Sequence, residues 1–232
     1  AQAVVALITL TLVIATTRHL VDPPRSANRH NVFAELGGVV KRHRRDFATA
    51  GVVSVTLQFL RAAREFLIPV WGGELGLGEA KIGAIATASF AIDSVLFPWV
   101  GYSMDRWGRK STGIPAFIVL ALAMVLIPMT GSFGGLMAVG LLAGFGNGLS
   151  SGYVLVTGTD LSPKENPGEF LGVWRLISDT GGAGGPIAIG GIAQVLTLGA
   201  SAVATGGIGI FGVLMLIFVV RETMSQRPSR RT

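Results

Sequence analysis

Cysteine is absent from the 232 residues, so neither a disulfide nor a thiolate metal site can be built from this chain. Charge is scarce as well. Asp, Glu, Lys and Arg together make up 14% of the chain, against roughly a quarter in a water-soluble domain. There are 3 histidines, His19, His30 and His43, all in the basic stretch Arg18–Asp46. They lack metal-ligand spacing, and no His-Glu-x-x-His occurs. Ser150, in Gly148-Leu-Ser-Ser-Gly152, fits the G-x-S-x-G pattern of hydrolases. That elbow requires a strand-to-helix turn and a histidine within reach, and no histidine falls at membrane depth. The expectation is a protein without catalytic residues, cofactor or metal.

What the chain does have is apolar length. Half of its residues are hydrophobic and 33 are glycine, and the mean hydropathy is +0.60. Seven apolar segments stand out, at Ala3–Thr17, Phe47–Trp71, Ile82–Tyr102, Thr112–Thr130, Gly135–Thr157, Phe170–Val195 and Ala200–Val220. Most run for about 20 residues, the length of a membrane-crossing helix, whereas barrel strands would alternate over about 10. The expected class is therefore all-α, a polytopic membrane protein with about seven transmembrane helices. The net charge of +6 is concentrated in a few loops, which suits anionic lipid headgroups and not nucleic acid. No cleavable signal is evident, because no basic residue precedes the first apolar run.

Charge placement predicts the topology. The connection Arg18–Asp46 carries seven Lys/Arg, Asp105–Lys110 carries three, Asp160–Arg175 carries Lys164 and Arg175, and the tail after Val220 carries four. If every segment spans, these all fall on one side. The other side has Lys81 as its only cation. Cations mark the cytoplasmic face, so a cell-membrane protein with a cytoplasmic C-terminus is expected. Four regions follow: a first helix at residues 1–17, a basic cytoplasmic loop at 18–46, a six-helix unit at 47–220 and a basic tail at 221–232. Within the loop, Pro23-Pro24 stops any helix leaving the first span. Asn28–Arg45 could form a surface helix with Val32, Phe33, Leu36 and Val39 or Val40 near one face. Lys41-Arg-His-Arg-Arg45 reads either as a headgroup anchor or as a solvated topology signal.

The most specific motif is Gly101-Tyr-Ser-Met-Asp-Arg-Trp-Gly-Arg-Lys110. A charged turn between two apolar runs cannot sit in hydrocarbon and must lie at a membrane surface. Gly101, Asp105, Arg106, Gly108, Arg109 and Lys110 match the pattern G-x-x-x-D-R-x-G-R-[KR], and the chain thereby resembles the major facilitator superfamily of twelve-helix secondary transporters. The resemblance implies one preceding helix, the central loop and then helices 7 to 12. A chain that starts abruptly outside is expected to be the back part of a longer protein, and an N-terminal half is then its expected partner. The resemblance also implies a cytoplasmic latch of arginine–carboxylate pairs. Arg106 or Arg109 would pair with Glu165 or Glu169, and Asp105 would dock near a helix N-terminus, where the dipole favours an anion.

Two glycine patterns suggest close helix packing. Gly140, Gly144, Gly148 and Gly152 recur every four residues and leave one smooth helix face. Gly181-Gly-Ala-Gly-Gly-Pro-Ile-Ala-Ile-Gly-Gly191 resembles the antiporter motif of the same family at Gly181, Gly185 and Pro186. Its glycines permit close approach and Pro186 permits a bend.

Charged and polar groups at membrane depth are expensive and are functional candidates by default. They are Arg61, Arg64 and Glu65 in the second segment, Asp93 in the third, Asn147 in the fifth, and Arg175 and Asp179 in the sixth. Arg61–Glu65 and Arg175–Asp179 have the i,i+4 spacing of ion pairs. Asp93 has no partner on its own helix, which makes it the candidate proton or cation site. The expected function is transport of a small solute through the lipid bilayer by a secondary transporter, proton-coupled and of efflux type. A seven-helix receptor and a non-transporting membrane fragment are the alternatives. No residue pattern here names the solute.

Overall fold

The computed structural model describes residues 32–223, and every regular element among them is helical. The first expected span, His19, His30 and the tail from residue 224 lie outside the described residues. The chain divides into residues 1–35 and residues 36–232, and the architecture that follows is that of the second unit.

Helix α1, Val32–Arg42, is followed by a single turn at Arg44–Asp46 and a π turn at Phe47–Gly51. These lead without a break into α2, Val52–Glu74. Helices α3, Glu79–Trp107, and α4, Lys110–Leu126, flank the charged turn. A 3-10 turn at Ile127–Met129 closes α4. Then come α5, Phe133–Leu149, α6, Tyr153–Leu161, α7, Pro167–Val195, and α8, Leu198–Phe218. The starts are legible in the local chemistry. The Ser132 hydroxyl accepts from Gly135 N at 3.2 Å and that of Thr197 from Ala200 N at 3.0 Å, each capping free N–H groups. Pro167 opens α7 at a position where no N–H is needed.

Among the described residues, four stretches are long and apolar enough to cross a membrane: Glu79–Trp107, Lys110–Met129, Phe133–Leu161 and Leu198–Phe218. The chain is an all-α polytopic membrane protein. Six crossings were expected between residues 47 and 220, and the difference lies in α2 and α7. With 23 and 29 residues they are long enough, since about 20 residues span the hydrocarbon. Arg61, Arg64, Glu65, Arg175 and Asp179 make them less apolar. They pack on one another, as do α3 with α5 and α4 with α8, while α4 also contacts α5. Leu57, Leu60, Phe117, Leu120, Met124 and Leu136 are buried at the centre.

The fifth expected segment, Gly135–Thr157, is not one helix. It breaks at Ser150–Gly152 into α5 and α6. Gly152 has φ +79°, a left-handed conformation natural to glycine alone, and the Ser150 hydroxyl donates to Asn147 O at 2.7 Å. Ser150 thus serves a helix-to-helix break, not a strand-to-helix elbow. Upstream, the glycine face of α5 lies against α3. A Cβ on Gly144 would collide with the carbonyl oxygen of Ser89. This approach sets the register of Asn147 and Ser151 against Asp93.

The helices gather their connections at two ends. Asp105, Arg109, Asp160 and Glu222 meet at one. At the other, Trp71 Nε1 donates to Thr130 O at 3.2 Å, and Lys81 lies 5.9 Å from the centroid of the Phe133 ring.

Candidate functional site

The charged turn is built around Arg109, a cation only 2% exposed. Its Nε donates to Asp160 Oδ2 at 2.8 Å, Nη2 to Asp160 Oδ1 at 3.4 Å, and Nη1 to Asp105 Oδ1 at 3.0 Å and to Met104 O at 2.6 Å. Burial opposes the charge on Arg109, but the hydrogen bonds and charges of Asp160 and Asp105 outweigh it and hold the guanidinium above its ordinary pKa. Gly108 makes the turn. Its φ of +90° suits glycine, and a Cβ there would come within 2.8 Å of the Glu222 carboxylate. That carboxylate accepts from Arg109 N at 2.8 Å and from Lys110 N at 3.1 Å. It therefore caps α4, where free N–H groups and the helix dipole favour an anion. Thr223 Oγ1 donates to Asp160 Oδ2 at 3.4 Å, and Lys110 Nζ reaches Ile217 O at 3.4 Å.

This arrangement differs from the expected latch. The partner of Arg109 on another helix is Asp160 and not Glu165 or Glu169, which lie exposed before or at the start of α7. The break at Ser150–Gly152 redirects α6, so its last turn delivers Asp160 to the guanidinium. Asp105, expected near a helix N-terminus, sits in the last turn of α3 and pairs with Arg109, four residues on. The N-terminal place is taken by Glu222. Arg106 is exposed, donates to Tyr102 Oη at 2.8 Å and lies over the rings of Tyr102 and Trp107. Gly101 lies within α3 with open space around its Cα. Asp160, Glu222 and Thr223 escaped sequence reading because their roles depend on separations of 51 to 113 residues. The one local signal is the triplet Arg221-Glu222-Thr223 directly after the last apolar run.

Between the two ends of the helices, two polar clusters form. In the first, Asp93 does have partners, one on α5 and one in the break that follows it. Asn147 Nδ2 donates to Asp93 Oδ2, and Ser151 Oγ to Asp93 Oδ1 at 3.0 Å. Asn147 is 2% exposed, and its Oδ1 has no hydrogen-bond partner among the described residues. One turn earlier on α3, Ser89 Oγ accepts from Arg64 Nη1 at 3.1 Å.

In the second cluster, Gln58 Nε2 donates to Asp179 Oδ1 at 3.1 Å, Arg175 Nε to Asp179 Oδ2 at 3.4 Å, and Arg61 Nη1 to Gln58 Oε1 at 3.4 Å. The expected Arg61–Glu65 pair is replaced, because Arg61 turns to Gln58 while Glu65 lies 3.7 Å from Arg64. These groups line a cavity of about 440 Å³ between α2, α6 and α7, which also receives Gly152, Val154 and Trp174. Gly181 and Gly185 of the glycine–proline motif pack α7 against Val55, Phe59 and Ala62 of α2. The motif is thereby engaged in helix contact.

Near the charged end, Phe47, Phe170 and Trp174 form an aromatic cluster with His43. The ring centroids of His43 and Phe170 are 5.1 Å apart, and those of Phe170 and Trp174 are 6.0 Å apart. His43 is thus used in packing against α7.

Comparison with known proteins places this geometry in context. Over 118 residues, 48% of this chain, it is 30% identical to the ectoine/proline transporter ProP of Corynebacterium glutamicum, of which the match covers 23%. Over 175 residues, 73% of this chain, it is 29% identical to the hexuronate transporter of Bacillus subtilis, of which the match covers 41%. The chain thus spans less than half the length of either relative. The family model of the Major Facilitator Superfamily matches residues 50–232. With its signature turn closed around Arg109 and that match spanning most of its length, the chain belongs to the Major Facilitator Superfamily.

Proposed function

We propose that this chain forms one six-helix half of a secondary transporter that moves a small polar solute across a cell membrane, coupled to proton movement at Asp93. The observation that carries the proposal is the Asp93–Asn147–Ser151 cluster, one turn from the Ser89 that holds Arg64. An ionisable group bridged between two helices at membrane depth can change its bonding with its proton, and so change how the helices fit. The relatives named for hexuronate and for ectoine and proline favour a small organic solute. The cavity of about 440 Å³ is of suitable size for one. A complementary helical half is the proposed partner, with the bilayer as surroundings. Transport in this reading needs no catalytic residue.

In reconstituted vesicles, Asp93→Asn is expected to abolish solute-driven proton movement, read with an internal pH dye, while solute exchange between the two sides persists. Proton movement equal to that of the wild type would remove Asp93 from the coupling path. The glycine–proline motif is the argument for efflux in exchange for protons, whereas a solute that binds together with the proton would be co-transported with it. Solute accumulation driven by an inward-directed proton gradient would replace that direction with uptake.

The proposed orientation places the Arg109–Asp160 end in the cytoplasm, in line with the cation bias of the loops. Cysteines introduced at Arg106 and Ser132, both exposed, are expected to react with an impermeant maleimide from opposite sides. Reaction from the same side would overturn the topology.

A further inference from the structure

The guanidinium of Arg64 is 3% exposed midway along α2, and an uncompensated charge inside a membrane protein is costly. Its surroundings compensate it only in part. It gives one hydrogen bond to a neutral group, Ser89 Oγ at 3.1 Å. Glu65 stands 3.7 Å away with its side chain 59% exposed, at ion-pair distance but not at direct hydrogen-bond distance. The Phe90 ring centroid lies 5.0 Å from Cζ of Arg64. A guanidinium offers five N–H donors in a fork that matches a carboxylate, and no carboxylate meets it in that way among the described residues. Beside it opens a cavity of about 160 Å³, walled by Ile68, Pro69, Ile85 and Ala86, with Arg64, Glu65 and Ser89 as its polar groups.

We infer that Arg64 is a subsite for the carboxylate of an anionic or zwitterionic solute, and that protonation of Asp93 frees it for that role. The inference rests on the secondary-transport reading and narrows its solute class. The charge count argues for the second clause. At this depth α2 contributes Arg61, Arg64 and Glu65, and α3 contributes Asp93, which acts on Arg64 electrostatically. Helix α5 and the break after it bring Asn147 and Ser151 to Asp93 but no ionisable group. Helix α4 carries only Lys110, at its first residue. With both acids ionised the set is neutral, and a bound carboxylate would leave one excess negative charge. A proton on Asp93 restores the balance, so proton and carboxylate favour each other's binding reciprocally. The protonated carboxyl can also turn its O–H to the unpartnered Asn147 Oδ1, with the Asn147 N–H released from Asp93.

The test uses the complete chain in lipid nanodiscs, with D-gluconate, L-lactate and N-acetylglycine as probes, each beside its uncharged amide. At least one carboxylate is expected to raise Tm, with its amide inactive and the affinity rising as pH falls. Arg64→Gln should weaken that binding about 30-fold or more, as expected for truncating a buried charge partner, while Arg64→Lys retains part of it. Asp93→Asn should bind with an affinity that no longer depends on pH. Equal stabilisation by the amides, no shift by any carboxylate at any pH, or unchanged binding in a folded Arg64→Gln protein would overturn the subsite. Counterflow in proteoliposomes separates the two readings. Counterflow with binding indifferent to Arg64→Gln sinks the subsite and leaves transport standing. Arg64-dependent binding without counterflow leaves the subsite and sinks transport.

Discussion

Replacing Arg109 by methionine is expected to destabilise the helical unit by about 3–5 kcal/mol, the usual cost of removing one partner from a buried ion pair. The reason is what remains. Asp160, whose side chain is 1% exposed, would lose its guanidinium partner, with Thr223 Oγ1 at 3.4 Å still among its contacts. Met104 O would lose a donor at 2.6 Å. Unfolding in detergent, followed by helicity against denaturant, measures the loss. The double variant Arg109→Met, Asp160→Leu should recover more than half of it, because the buried carboxylate that lost its guanidinium is then removed as well. A loss under about 1 kcal/mol would reduce the pair to the value of an exposed surface bridge. Because the folded-state pKa of Arg109 is raised, its contribution is fully present below the ordinary arginine value. It is lost only as pH rises through the folded-state value. Stability from this turn should therefore stay flat across the neutral range. A midpoint that moved there would place the titration on another group.

The second large effect is expected at Gly181. A Cβ on this residue would be driven into the carbonyl oxygen of Val55, and it would also come within 2.8 Å of Val55 C and 3.0 Å of Phe59 N. All three are backbone atoms of α2, so no side chain can rotate away and the two helices must separate. Overpacking of this kind costs about 1–3 kcal/mol and occasionally more. Gly181→Ala should reach the upper part of that range and Gly181→Val should exceed it. Gly182 provides the internal control, because nothing lies within 4 Å of a Cβ built there. Gly182→Ala should be neutral or stabilise by up to about 1 kcal/mol, since alanine favours a helix over glycine. Comparable losses at both positions would show that the motif acts through backbone flexibility and not through helix contact. The contrast bears on function, because α7 carries Arg175 and Asp179 while α2 carries Gln58 and Arg61. Displacing the pair would open the Gln58–Asp179 bond of 3.1 Å and change the larger cavity.

How much of this could be read from the chain depends on the range over which each property is decided. Helical class, membrane residence and the charged turn rest on composition and on patterns within a few residues. A run of about 20 apolar residues must satisfy its own backbone hydrogen bonds as a helix, and Asp105–Lys110 cannot enter hydrocarbon. The family was legible for the same reason, since Gly101 to Lys110 is a local motif. The i,i+4 geometry of Arg175 and Asp179 followed from helix periodicity alone. Pairings across helices did not follow. The acid expected for Arg109 was Glu165 or Glu169, and the choice fell to Asp160 because the left-handed Gly152 redirects α6. Asp93 looked solitary because its partners lie 54 and 58 residues away. They reach it only because the glycine face of α5 lets two backbones approach. Glu222 could not be assigned before it was known that α8 ends beside the start of α4. The sequence by itself determined the helical class, which surfaces hold charge and which residues can approach closely. Tertiary structure decided which charge meets which, because at membrane depth a polar group must find its partner on whichever helix the packing brings near.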